Sequence, residues 1–263
     1  MRITGTTVLL TGVTGGIGRT IARDLARKGA KLVISGRRPE ALGPIAAELG
    51  ARAVTADLAD ADQVAHLAEA CGDADILIAN AALPSSGDLL DYTPGQVDRA
   101  LTVNLRAPVM LARLLAPRMV DAGRGHVVFV GSISGKAASK SSSLYTSTKF
   151  GLRGFAHGFR QDLHGTGVGV SLVQPGFVRD AGMFAATGAT PPGGVRTVSP
   201  EQVAAGVIRA IERDLCEVNV APLELRLLSA IAGQFPAFAA MVQRRSGAER
   251  TIGRIVEAQR ESR

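Results

Sequence analysis

The chain has 263 residues, 46% hydrophobic but only 4% aromatic, and a formal charge of +7. That length admits one large α/β domain with a core of Ala, Val, Leu and Ile, and its 31 glycines are scattered without period, which excludes collagen-like and low-complexity chains. The basic residues form no long run and no aromatic-interleaved patch, so the charge suits a mildly basic surface with a pocket for anionic phosphates, and no nucleic-acid partner is expected.

In chain order, short apolar runs alternate with longer stretches of helical period. Strands are predicted at Thr7–Thr11, Lys31–Ser35, Arg52–Ala56, Asp75–Ala79, His126–Gly131 and Gly169–Gln174, with a weaker one at Glu217–Val220. Helices are predicted at Ile17–Lys28, Pro39–Leu49, Ala61–Ala70, Pro94–Val120 and Leu144–His164. Strands that are apolar throughout are buried on both faces, so this alternation implies a doubly wound α/β fold, a parallel sheet of about seven strands flanked by helices. Phe177–Ser199, rich in Gly, Ala and Pro, reads as a long mobile loop of the lid or binding type, its 181–199 part being a substrate loop. From Leu223 to the end the chain reads as a helical extension interrupted at Pro236, with Leu227, Leu228, Ile231, Phe235, Phe238 and Val242 forming a stripe expected in the core or a pocket wall. A lid over a greasy substrate ranks next among its uses, and peripheral membrane contact, helped by Arg226, Arg244 and Arg245, last. No linker divides the chain, so residues 1–263 are taken as a single domain.

The N-terminus has no signal-peptide pattern, and the uncharged stretch Leu227–Val242 is shorter than the roughly 20 apolar residues a span requires, so a cytoplasmic protein is expected. Cys71 and Cys216 lack metal or redox spacing and are expected as buried thiols of a reducing compartment. His66, His126, His157 and His164 form no metal constellation, and His157 and His164 are assigned to packing or a subunit interface.

The first strand runs into Thr11-Gly12-Val13-Thr14-Gly15-Gly16-Ile17-Gly18 and then a helix. Glycines permit a sharp turn and close approach to a ligand, while a helix N-terminus offers N–H groups and a positive dipole end to a pyrophosphate. The spacing is Gly-x-x-x-Gly-x-Gly, and a purely structural turn is the alternative. After the second strand, Arg37 and Arg38 stand where NAD-binding proteins place an acid, and no acid occurs between Lys31 and Arg38, which favours NADP(H) over NAD(H). Asp57 and Leu58 after the third strand, and Asn80-Ala81-Ala82 after the fourth, are candidates for the adenosine; each could instead end a strand and cap a helix.

Tyr145-Thr146-Ser147-Thr148-Lys149 opens a helical pattern thirteen residues after Ser132. Four residues along a helix put Tyr145 and Lys149 on one face. A free phenol near pKa 10 is a poor acid or base at neutral pH, and an adjacent ammonium is expected to move it down towards the working range. Ser132 could hold the same substrate oxygen.

Taken together, the TGVTGGIG turn, Asp57, Asn80-Ala81-Ala82, Asn104, Ser132, the YTSTK motif and Pro175-Gly176 resemble the short-chain dehydrogenase/reductase family over about residues 5–180. The resemblance implies a Rossmann-like fold and Tyr145 as acid/base beside Ser132. It also implies that Lys149 binds the nicotinamide ribose, that Asn104 holds a relay water, that Pro175-Gly176-Phe177-Val178 lies against the nicotinamide, and that the chain forms a homodimer or homotetramer. Apart from the family, Asn104 reads as a polar kink in a helix. Two departures stand out: Ala79-Asn80-Ala81-Ala82 where Asn-Asn-Ala-Gly is frequent, and Asp180 where a carboxamide-contacting Thr is usual. The expected activity is hydride transfer between NADPH and a carbonyl or alcohol, with an apolar substrate judged from Phe177, Met183 and Phe184. An NADPH-binding regulatory or scaffold protein with little turnover is the alternative from another class; a sugar-nucleotide epimerase would need a different glycine spacing and a longer substrate domain.

Overall fold

The computed structural model describes residues 1–188, 191, 195–245 and 256–257. Seven strands, β1 (Thr7–Thr11), β2 (Lys31–Gly36), β3 (Arg52–Thr55), β4 (Ile76–Ala79), β5 (Gly125–Val130), β6 (Val168–Pro175) and β7 (Glu217–Val220), form one sheet in the order β3-β2-β1-β4-β5-β6-β7. All six pairings are parallel. The order reverses between β1 and β4, the place where an open sheet of this kind leaves a crevice at the carboxyl ends of its strands.

Helices α1 (Gly16–Arg27), α2 (Pro39–Leu49) and α8 (Pro200–Arg213) cover one face; α3 (Ala61–Ala70), α5 (Ala107–Asp121) and α6 (Ser143–Asp162) cover the other. The period of two sorts the side chains. Val8 and Leu10 of β1 enter the core with Ile21, Leu25, Val207 and Ile211, whereas Leu9 enters the core with Leu67, Leu111, Phe129 and Leu152. Strands β4 and β5 are buried at every residue, as continuous apolar runs require, and β3 is mostly exposed because it is an edge.

The Rossmann-like sheet and its strands match the sequence expectation, but four features differ. Helix α8 was not expected. Its start is marked in the sequence, since Ser199 accepts from Gln202 N at 3.3 Å, Gln202 Oε1 accepts from Ser199 N at 2.8 Å, and Pro200 fills the first helical position. The predicted helix Pro94–Val120 is divided into α4 (Pro94–Leu101), a π-helical turn at Thr102–Arg106, and α5. Phe177–Ser199 is not structureless: Val178 and Val198 form a bridge flanked by hydrogen bonds from Arg179 N to Val198 O and from Val198 N to Phe177 O, both 2.9 Å, and α7 (Gly182–Ala185) follows. Residues 189–190 and 192–194 of that expected loop lie outside the described residues.

The fourth difference is the C-terminal extension, described as α9 (Leu223–Gln234) and α10 (Pro236–Arg245). The stripe expected in the core is instead 48–64% exposed at Leu227, Leu228, Ile231, Phe235 and Phe238. Helix α9 turns its small residues inward: Ser229 is buried, and a Cβ at Gly233 would stand 2.8 Å from Lys136 O. Close docking on that edge leaves the large side chains outside. The Val242 side chain and most of the chain after Arg245 fall outside the described residues. Among the described residues, no helix is long and apolar enough to cross a membrane.

The Ser199 cap tests the register of α8. Ser199→Ala should cost about 0.5–2 kcal/mol, lowering the thermal midpoint by roughly 2–4 °C for each kcal/mol; an unchanged melting curve would separate the cap from the stability of α8.

Candidate functional site

The glycine turn is held from both sides. Gly12 has φ +73°, and a Cβ there would lie 2.7 Å from Ala81 Cα, so residue 12 can carry no side chain. A Cβ at Gly18 would lie 2.3 Å from Gly12 O and one at Gly16 2.5 Å from Ala181 Cβ. The Asn80 amide donates to Thr11 O (3.0 Å) and Gly12 O (3.2 Å), while Asn80 N and Ala81 N both donate to Thr11 Oγ1. Asn80 and Ala81 therefore have a first duty inside the protein, pinning the turn to the end of β4. Gly15 is different. A Cβ on it would meet only Gly12 O, at an ordinary 3.5 Å, so the space in front of it is open. It is also the N-cap of α1 without a side chain to cap the helix, in contrast to Asp60, Thr93 and Ser199 at α3, α4 and α8. Ile17, just inside α1, touches the loop side, 2.9 Å from where a Gly182 Cβ would stand.

Beside this turn, a Cβ on Gly36 would lie 3.2 Å from the Thr14 methyl, which places Arg37 and Arg38 next to the glycine loop; both are exposed. Among the described residues neither guanidinium takes part in an ion pair, unlike Arg19 and Arg23, which share Glu48. Asp57 follows β3 and is partly exposed. Burial opposes its ionisation, but bonds from Ala59 N (2.9 Å) and Arg99 Nη2 (3.0 Å), with the charge of Arg37, hold the carboxyl below its ordinary value. Sequence reasoning missed Arg99, which reaches Asp57 across a 42-residue separation and leaves no local signal. Leu58 is buried in the core.

On the other side of the crevice, Ser132 lies two residues beyond β5 and caps a short 3-10 turn, Ile133–Gly135, by accepting from Ser134 N at 3.2 Å. Tyr145 and Lys149 lie in the first turns of α6, with Lys149 Nζ 5.6 Å from the Tyr145 ring centre. The Ser132 hydroxyl is close enough to Tyr145 to favour its ionised form. Lys149 is 3% exposed, and its ammonium donates to Val130 O at 3.3 Å. Burial pulls the Lys149 pKa from 10.5 down to about 8. The Tyr145 phenol is pushed up by burial, only partly offset by Ser132. This differs from the expected downward shift: desolvation acts on both groups and favours the neutral form of each.

Asn104 lies in the π turn, where Ala107 N bonds back five residues to Thr102 O. Its side chain clasps the segment after β4: Oδ1 accepts from Leu83 N (2.6 Å), and Nδ2 donates to Leu83 O (2.9 Å) and more weakly to Ser85 Oγ (3.4 Å). Asn104 is thus both the helix irregularity expected from sequence and a clamp on the crevice wall. Insertions of this kind recur at functional positions.

Pro175 ends β6, and Gly176 N donates to Val220 O at 2.9 Å. A Cβ on Gly176 would stand 2.9 Å from Leu225 of α9. Val178 is buried, and Phe177 packs on Phe184 at 4.8 Å between ring centres. Asp180, at φ +64°, is the centre of a tight turn in which Ala181 N donates to Arg179 O at 2.8 Å. Asp tolerates this backbone region far better than a β-branched residue, which gives the unusual residue a local reason. The fully buried amide of Gln174, under the Ser132 turn, has neither atom paired among the described residues and was not singled out from sequence. Two other surface hollows, lined by residues such as Arg23 and Glu48 or Arg124 and His164, lie away from this crevice.

The cysteines divide. Cys71 is buried, with its thiol pushed up to about 11 by burial. Cys216 is exposed, contrary to expectation, because it precedes the edge strand β7. His157 meets it there, hydrogen-bonded rather than merely packed.

The buried lysine can be tested directly. Because the folded protein binds fewer protons than the unfolded chain between about pH 8 and 10.5, stability should rise with pH across that window and show no Lys149-dependent slope below it. Lys149→Met should abolish the slope and be more stable than the parent at pH 7, by on the order of 3 kcal/mol at most, in paired melting curves; parallel curves for the two proteins would contradict the shift.

Comparison with known proteins adds the following. The sequence profile described as short chain dehydrogenase matches residues 6–191. The ketoacyl reductase HetN of Nostoc sp. is 35% identical over 227 residues, covering 83% of this chain and 79% of that protein. A short-chain dehydrogenase from Sphingobium yanoikuyae, solved in complex with NADPH, superposes with a TM-score of 0.77 at 28% identity, covering 89% of this chain and 94% of the other. A short chain dehydrogenase/reductase from Burkholderia phymatum, solved in complex with NAD, has a TM-score of 0.80 over 91% of this chain and 97% of its own, but at 23% identity it speaks for the fold alone.

Proposed function

The chain belongs to the short-chain dehydrogenase family of oxidoreductases, and from that premise we propose that it transfers a hydride between NADP(H) and the carbonyl or alcohol of an apolar substrate, with Tyr145 as acid/base. The observation that carries the reading is the buried Lys149 one helical turn from Tyr145, with Ser132 acting on the same phenol, beyond the carboxyl end of β5.

The residues fit a nicotinamide dinucleotide. Gly12, Thr14, Gly15, Gly16, Ile17 and Gly18 would take the pyrophosphate, supported by the uncapped start of α1 and the open space before Gly15. Arg37 and Arg38 would hold a 2′-phosphate; neither guanidinium is tied up in an ion pair among the described residues, which supports NADP(H), as does the Sphingobium relative's NADPH. Asp57, Leu58, Asn80 and Ala81 would line the adenosine, and Lys149, Pro175, Gly176 and Val178 the nicotinamide ribose and ring. When bound, the cofactor supplies or accepts the hydride.

Everything else falls to the chain. Ser132 and Tyr145 hold the substrate oxygen, and the Tyr145 hydroxyl gives up its proton as charge develops there, or takes one in the reverse direction. The raised phenol is suited to holding that proton until charge appears on the substrate. Lys149 stands by with an ammonium that loses its proton near pH 8, close enough to favour a phenolate once formed. Asn104 keeps the Leu83–Ser85 wall in place and would order a water of the proton relay. Phe177, Met183 and Phe184 would contact the apolar substrate. Exposed Leu114 on α5 and Phe150 on α6 supply the face through which two copies would pair.

Tyr145→Phe should lower turnover by at least about a hundredfold in an NADPH-oxidation assay over a panel of apolar ketones, while NADPH binding by fluorescence is retained. Unchanged turnover would remove Tyr145 from the chemistry, and a parent protein that binds NADPH but reduces nothing would return the sensor reading. Arg37→Ala with Arg38→Ala should raise the KM for NADPH by about tenfold or more and leave that for NADH nearly unchanged; an equal rise for both would contradict the phosphate assignment.

A further inference from the structure

Away from the crevice, α6 carries Arg153, His157 and Arg160 towards the start of β7. His157 bridges two consecutive residues there: Nδ1 lies 3.2 Å from Cys216 Sγ and Nε2 3.0 Å from Glu217 Oε2. Burial works against ionisation of Glu217, but bonds from Lys136 and from Arg153 Nε (3.0 Å) outweigh it and bring its pKa to about 2. An ionised carboxylate can only accept, so it takes the proton on Nε2 and fixes the tautomer. In its neutral form the ring then presents the Nδ1 lone pair to the thiol. Other charges face the group as well: Arg160 interacts electrostatically with Cys216 while bound to Asp214 at 2.8 Å, and Lys136 and Arg153 lie behind Glu217.

We propose that Cys216 is a nucleophilic thiol, with His157 as its base and Glu217 orienting the base, and that it is a site of modification by hydrogen peroxide and by soft carbon electrophiles. The arrangement is that of an activated nucleophile: thiol, base within hydrogen-bond reach, and a third group fixing the base, all at a surface a small molecule can reach. With peroxide, the sulfur attacks one oxygen, the S–O bond forms and the O–O bond breaks. The thiol proton passes to Nδ1 and on to the departing hydroxide, which leaves as water. Sulfur is oxidised by two electrons to the sulfenic acid and the peroxide is reduced. With iodoacetamide, an S–C bond replaces the C–I bond, iodide departs and the proton goes through His157 to solvent.

Cys71, the second of the chain's two cysteines, is an internal control, since it is buried and its thiol is raised to about 11. The native protein would be treated with iodoacetamide at pH 6–8.5, or with peroxide followed by dimedone, and the modified residue located and timed by peptide mass mapping. Cys216 should react at least tenfold faster than Cys71 with both reagents. His157→Gln should slow Cys216 by about tenfold at pH 7, and its rate should climb roughly tenfold per pH unit, as an unassisted thiol's does below its pKa, whereas the parent's rate should be nearly flat from pH 7 to 8. His157 side-chain exposure of 35% makes the substitution compatible with folding, which a melting curve verifies. A Cys216 rate equal to that of His157→Gln, or a parent profile as steep as the variant's, would overturn the proposal.

Discussion

Lys149 keeps an amine almost wholly out of water with no carboxylate among its described contacts, and the carboxyl end of the sheet is arranged around that fact. Its Nζ is held by Val130 O at the end of β5, and its main chain is so close to the Ser132 turn that a Cβ on Gly135 would meet Lys149 O at 2.7 Å. Burial therefore tunes the amine to about 8 and raises the phenol beside it. At neutral pH the amine still carries its proton for most of the time while the phenol beside it is neutral, so the site presents a single buried cation.

Charge is denser on the other side of the crevice, beside the glycine turn. There, Asp57 is already engaged by Arg99, and Arg37 adds to the positive field around it. Arg19 and Arg23 are drawn off by Glu48. Part of the basic composition is thus taken up in surface ion pairs of small individual worth, while Arg37 and Arg38 stay exposed at the mouth of the crevice.

Local pattern carried the parts of the fold that are local. Continuous apolar runs marked β4 and β5, and Gly15 before an uncapped α1 was visible as a turn-to-helix junction. The four-residue spacing put Tyr145 and Lys149 together, as found. What escaped depends on contacts between distant segments. The π turn exists where Asn104 grips Leu83, 21 residues away, and Arg99 is committed to Asp57 by a contact across 42 residues. The direction of the Tyr145 shift depends on burial, which helical spacing does not encode. Cys216 was expected inside because of its residue type, but β7 lies at the sheet's edge. Helix α8 was legible through Ser199, Pro200 and Gln202, with Val203, Val207 and Ile211 on one face, and was overlooked.

The strand order has a consequence for how the chain acquires its function. Thr11 and Gly12 are held by Asn80, and β1 pairs with β4 through Val8 and Ile76, so the first loop is finished only when a segment nearly 70 residues later arrives. Lys149 needs β5, and β5 in turn needs β4 and β6 as neighbours. Parallel strands joined by long crossovers close large loops before their contacts compensate the lost entropy. The glycine turn is therefore complete only once β4 is in place, and Lys149 finds its partner only once β5 is, so both sides of the crevice depend on pairings between distant segments.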